Sequence, residues 1–251
     1  MPLLSLLFAS ALARPEADAL VAAWSAAQPA LSAARLRHQP TASDLRALAA
    51  QGSFKRVEAT ETGTRMLTGC WIDAPVLHTW LVFADNFHRT ISEETARIQG
   101  LPGNTAFHRL NHVLLDLPWP LTDRQWVAEI SGNAALWQRS GQSLAEFSWD
   151  IADAALAPSP DPDALWVPVN HGGWNLLGLE QGTLALFGAW LELGGAVPDD
   201  VSARVGLTRI DETFTRVRAL AADMPQHYRA GHSPLPDPAG QPLPYTALLA
   251  D

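Results

Sequence analysis

The sequence predicts an α+β domain in which an antiparallel sheet packs against one long helix near the C-terminus. Three observations predict it. Within residues 203–224 the apolar residues Ala203, Leu207, Ile210, Phe214, Val217, Ala221 and Met224 recur at steps of 4, 3, 4, 3, 4 and 3, which places them on one helical face. Ahead of this stretch, several β-like segments are separated by short turns rich in Gly, Pro and Asn, the pattern of consecutive antiparallel strands. The chain has 251 residues, 47% of them apolar, enough for a substantial core.

In chain order, residues 1–13 (MPLLSLLFASALA) form a short apolar run ending in Ala11-Leu12-Ala13. They read either as a cleaved export signal, although the usual positive start is missing, or as the first turns of a helix. Export would make the protein periplasmic or secreted; without cleavage it is cytoplasmic. Residues 16–27 predict a helix, with Leu20 and Trp24 one turn apart. Pro40-Thr41-Ala42-Ser43-Asp44 is a start signal for a second helix over 45–51, stopped by Gly52. Strands 54–60 and 64–72 flank a Gly-containing turn, and 75–84 returns to helical spacing through Val76, Trp80 and Phe83. Strands follow at 92–99, 105–115, 124–131 and 144–151, then at 173–180 and 183–192. Residues 132–142 read as a connecting loop, and 152–164, rich in Asp, Pro and Ala, as a mobile one. Pro198 with Asp199 and Asp200 starts the long helix, and Pro225 marks its stop. Five prolines and two glycines over 231–251 predict a loosely attached tail.

Seventeen basic against 26 acidic residues give a net charge of −9, which argues against nucleic acid or anionic headgroups as electrostatic partners. Ten tryptophans stand beside two tyrosines, an excess of large apolar faces with one N–H donor each. Cys70 is the only cysteine, so there is no intrachain disulfide and no cysteine-based zinc site.

The segment 117–127, LPWPLTDRQWV, carries a family likeness. A strand ending in Pro-Trp-Pro-Leu, a polar turn, then Asp-Arg and an aromatic opening the next strand resembles the START (StAR-related lipid transfer) domain of the Bet v 1-like, SRPBCC helix-grip superfamily. Gly173-Trp174 starting a strand, the hairpin turn Gln181-Gly182-Thr183, and Leu193-Gly-Gly-Ala-Val-Pro198 leading into the long helix agree with that pattern. Two departures stand out. Asp85-Asn86-Phe87-His88 occupies the place of a tryptophan-aspartate element, and Ile130 stands where relatives with a buried acid–base pair have an arginine.

The resemblance implies a helix-grip fold: a curved sheet wrapped around the C-terminal helix, with an internal apolar cavity between them. It divides the chain into a possible signal peptide (1–13), an N-terminal helical segment (14–44), a START-like domain (45–229) and a Pro-rich tail (230–251). The cavity candidates are Arg124, Trp126, Ala128 and Ile130 on one strand, Phe147 and Trp149 on the next, and Leu207, Ile210, Phe214, Val217 and Ala221 on the helix. For strand 183–192 the inward set is either Ala185, Phe187, Ala189 and Leu191 or Leu184, Leu186 and Trp190. The small residues Ala203 and Ala221 are expected to leave room for a ligand.

The expected function is binding, and transfer, of a lipid or other apolar small molecule without catalysis, by a monomer that touches membranes transiently. The alternative is a cyclase or aromatase of the same superfamily using Arg124, His108 or His112. No cofactor or metal is expected. His108 and His112, four apart on a strand, lie about 13 Å from each other, too far to share an ion. Asn170-His-Gly-Gly173 resembles an esterase oxyanion loop, but no Gly-x-Ser-x-Gly accompanies it, so a turn before Trp174 is the expectation. Trp119 and Trp126 are expected to pack in the core, and Arg124 to hold its loop. The turn around Trp119 and the loop 152–164 are candidate gates.

Overall fold

The computed structural model describes residues 14–32, 39–60, 63–84, 96–195, 199–229, 235–237 and 239–241, with backbone alone at 59, 60, 96, 199–209 and 227–229. Helices α1 (Ala17–Ala27) and α2 (Ala42–Gln51) precede the hairpin β1 (Ser53–Thr60) and β2 (Gly63–Ile72). Then come α3 (Val76–Ala84), β3 (Ala96–Gly100), β4 (His108–Leu115), β5 (Arg124–Gly132), α4 (Ala134–Arg139), β6 (Leu144–Ile151), β7 (Leu165–Trp166), β8 (Val169–Leu179), β9 (Gly182–Glu192) and α5 (Asp199–Arg229). The strands form one curved sheet in the order β1-β2-β9-β8-β6-β5-β4-β3, antiparallel throughout, while the short β7 pairs parallel with β5.

Two helical layers cover this sheet. On the inner face, α3 and α5 join Cys70, Ile72, Ala145, Phe147, Trp174, Leu176 and Ala185 in one buried core. On the outer face, α1 and α2 bring Leu20, Trp24, Leu45 and Leu48 onto Leu67, Trp71, Leu144, Leu177, Leu184 and Leu186. The outer layer has a polar anchor as well: buried Glu146 accepts from the backbone N–H of Ser32 at 2.8 Å and from Asn133 Nδ2 at 3.0 Å. The α2 start is a reciprocal cap between Thr41 and Asp44, and Gly52 closes the helix at φ 84°.

The predicted stripe of α5 is buried at Ile210, Phe214, Val217, Ala221 and Met224. The side chains of Ala203 and Leu207 lie outside the described residues, as do residues 1–13, 85–88 and most of the tail. The helix does not stop at Pro225; it runs on to Arg229. A proline inside a helix removes one N–H, here the one that would serve the Ala221 carbonyl four residues back. Burial lowers the pKa of His78 on α3, and the Ala221 backbone beside it opposes that shift.

Three further expectations change. Residues 134–139 form a helix rather than a loop, because Asn133 caps it through Leu136 N (3.0 Å) and Trp137 stacks on Trp80 at 4.8 Å. The strand expected from 173 begins at Val169, so Gly172 and Gly173 are strand residues and not a turn. The loop 152–164 is not loose. Buried Gln125 donates to the carbonyls of Asp161 (2.7 Å) and Ala164 (3.1 Å) and accepts from Asp161 N (3.0 Å), and Ala152 N reaches the Val127 carbonyl at 2.8 Å. One stretch of the tail is held too, with Ala106 N donating to the Pro236 carbonyl at 2.9 Å.

Candidate functional site

Strand register turns the inner face into rows. One row crosses Thr68, Phe187, Trp174 and Phe147; the next crosses Met66, Ala189, Gly172, Trp149, Ile130 and Arg109; the third crosses Thr64, Leu191 and Asn170, and Ala128 with Asn111 continues it. Beyond these, Trp126 pairs with Val113. The ambiguous strand is thereby decided: Ala185, Phe187, Ala189 and Leu191 face inward, and Leu184 and Leu186 belong to the outer core.

The two ends of this face differ in packing. At the Ile72 end, Trp174 sits 4.5 Å from Phe83, 4.8 Å from Phe187 and 5.5 Å from Phe214 between ring centroids, and the space beneath the second half of α5 is filled. Toward the Thr64 end, Trp126, Trp149, Phe187, Ala189, Leu191 and Asn170 are only half-buried. The first half of α5 heads that way. Arg218 Nε donates to the Trp71 carbonyl at 3.0 Å, while Asp211 pairs with Lys55, which stands opposite Thr68, so the helix advances from the Ile72 row to the Thr68 row as it runs back to residue 211. Residues 199–210 continue for roughly another 17 Å at the helical rise.

Among the cavity candidates, Phe147, Ile210, Phe214, Val217 and Ala221 fall in the filled part, in one core cluster. Ala128 and Ile130 lie with Val113 on the apolar floor of the other part, flanked by Trp126 and Trp149. Arg124 serves neither. The residue is 2% exposed, and its guanidinium donates to backbone carbonyls of Leu193 (2.6 Å), Gly194 (2.9 Å), Thr122 and Asp123, so it ties the β5 turn to the chain after β9. Burial lowers its pKa, with Asp123 opposing the shift. The residues named for catalysis do not meet on the inner face: His108 is on the outer face with Glu129 at 3.0 Å, and His112 is there with Gln125 at 3.3 Å and Trp166. Cys70 is sealed in the core, its thiol pushed up to about 12 by burial despite the nearby Arg218, and so is no nucleophile.

Trp119 departs furthest from expectation. It is 93% exposed, because it stands between two prolines on a turn closed by Leu121 N to the Pro118 carbonyl (3.0 Å), while Leu117 and Leu121 turn inward onto Leu115, Leu193 and Trp126. Leu165 and Trp166, on the strand beside Arg124 and Gln125, are also exposed. The end of the sheet that carries the half-buried rings therefore also carries an apolar tip.

Compared by sequence, the chain matches no protein-family model and no curated protein. Compared by structure, it is similar to human STARD10, with a TM-score of 0.59 over 87% of this chain and 84% of that one at 13% identity. Human StAR-related lipid transfer protein 5 gives 0.56 over 83% and 95% at 11% identity. A fragment of the STAR-related lipid transfer protein from Xanthomonas axonopodis gives 0.53 over 68% and 94% at 15% identity. The chain has the START-type helix-grip fold.

Within this START-type frame the structure adds residues that the sequence reading passed over. Arg109 and Asn111 are buried on the inner face. Arg109 Nη1 donates to the Ala84 carbonyl at 2.5 Å, capping the negative end of α3, and its guanidinium lies 5.8 Å from the Phe147 ring. The arginine absent at Ile130 thus has a counterpart directly opposite on β4. Alternation with Val113 and Leu115 along the strand was a signal for this placement. Asn170 and Gly172 had a weaker one: a glycine inside a strand often marks a close approach.

Proposed function

We propose that this protein binds an apolar small molecule or lipid on the half-buried part of the inner face and passes it between membranes, without chemistry of its own. The observation that supports it is the contrast between the two ends of one apolar face. Half of it is closed by aromatic packing, and the other half keeps Trp126, Trp149, Phe187 and Leu191 incompletely covered in a fold shared with lipid-transfer proteins. Burying 300 Å² of ligand apolar surface at about 25 cal/mol per Å² yields roughly 7 kcal/mol before association costs, enough for useful affinity.

The binding reading gains from where the alternative's residues stand, since Arg124, His108 and His112 are each engaged away from this face. The exposed Trp119 tip is the membrane contact in this proposal, because an indole suits the boundary between headgroups and acyl chains. The test is native mass spectrometry of protein purified from its own host, followed by organic extraction. A stoichiometric apolar molecule is the expected result. An apo mass that persists after incubation with a lipid panel contradicts the proposal. The same spectrum reports whether residues 1–13 are removed, as export requires.

A further inference from the structure

The half-buried part of the inner face is built around one preorganised ring. The six-membered ring of Trp149 sits close over β8 at Gly172, which has no side chain; a Cβ there would fall 2.4 and 2.6 Å from the indole carbons Cζ2 and Cη2 and 2.3 Å from the Gly188 carbonyl oxygen. Phe187 stacks beside it, with centroids 5.4 Å apart and planes 25° off parallel. Both rings of this pair stay half-buried, so part of their surface is uncovered. The neighbouring inward residue in the same row is Ala189, also half-buried, so the indole's neighbours along this row are small.

Asn170 fixes the ring and adds a polar group. Its side-chain oxygen accepts from Trp149 Nε1 at 2.9 Å. An indole nitrogen only donates, so the atom facing it must be the amide oxygen, which assigns the amide orientation. The Asn170 NH2 is then the free end; it has no hydrogen-bond partner among the described residues, and the residue is half-buried rather than fully solvated. One flat aromatic surface and one oriented donor thus lie side by side.

We propose that this site selects a planar, fused-ring apolar molecule bearing a hydrogen-bond acceptor, over a flexible acyl chain. The ring system lies on Trp149 and Phe187, and the acceptor oxygen takes the Asn170 NH2. This rests on the ligand-binding reading above and narrows it to a chemical class. A flat rigid ligand matches a flat fixed platform at low ordering cost, whereas an acyl chain must lose rotational freedom and leaves the donor without a partner.

The experiment measures binding of three probes to the full chain by titration calorimetry: benzanthrone, a planar fused-ring ketone; pyrene, a planar hydrocarbon without an acceptor; and palmitic acid. Benzanthrone is expected to bind about tenfold more tightly than pyrene, the worth of one net hydrogen bond. Asn170→Ala is expected to remove that difference and, because it also releases the Trp149 ring, to weaken pyrene a few-fold. Trp149→Leu, which keeps apolar bulk, is expected to weaken both ring probes about tenfold, with folding checked by thermal melting. If palmitic acid binds as tightly as benzanthrone, or if Asn170→Ala leaves the ketone preference intact, the ring-and-donor assignment is wrong while the carrier reading stands. If none of the three binds, and the native spectrum is also empty, the carrier reading itself falls.

Discussion

At the scale of single residues, exposure separates two tryptophans of similar sequence context. Trp126 follows Gln125 on β5 and turns inward beside Leu115 and Leu117, whereas Trp119, held between prolines, has almost its whole surface in water. Sequence periodicity reaches Trp126, because a strand residue has a face, but a turn residue has none, and for that reason Trp119 was misjudged. Its exposure has a consequence. Trp119→Ser is expected to leave thermal stability within about 0.5 kcal/mol, as surface changes do, and to reduce cosedimentation with zwitterionic phosphatidylcholine vesicles several-fold. Unchanged vesicle binding removes the tip from the membrane-contact proposal. Arg124 does hold its loop, but through four backbone carbonyls, and nothing in one sequence says which acceptors a long side chain will meet.

At the scale of elements, α3 packs on α5 where Pro225 removes one helix N–H. The carbonyl of buried Ala221 loses its usual helical donor there, and the His78 imidazole lies beside it. His78→Phe is therefore expected to cost about 1–2 kcal/mol by stranding that acceptor, and clearly less in a Pro225→Ala background, where the restored backbone N–H serves it. A double-mutant cycle by denaturant unfolding checks this, and additive effects contradict it. The pH dependence has a definite sign. Burial lowers the His78 pKa below 6.5, with the Ala221 backbone opposing the shift. Above 6.5 the group is neutral in both states. As pH falls below that value the unfolded chain takes up the proton first, so stability declines with acidification, and His78→Phe flattens that part of the profile. The helix stripe from Ile210 to Met224 and most strands were legible from period alone, since burial on one face enforces period. The helix at 134–139 was not, because its six residues are too few to show a period and its stability comes from Asn133 and the Trp80–Trp137 stack.

At the scale of the whole molecule, the order of strands and helices was legible, and so was the enclosure of α5 by the sheet. The division of the inner face into a closely packed and a half-buried part was not, since it depends on which aromatics meet across four strands and two helices. That division moves the site. Ala221, expected to leave room for a ligand, is fully enclosed by core residues, whereas Ala189 lies in the half-buried part beside Gly172 and Phe187. The most direct test of the central claim, that an apolar ligand sits on this half of the face, is uptake of the host-extracted ligand, or of benzanthrone, by Ala189→Trp, read by native mass spectrometry. A folded protein that no longer takes up ligand is the expected result, because the added indole would sit next to Trp149. A folded Ala189→Trp variant that binds as the parent does would contradict it.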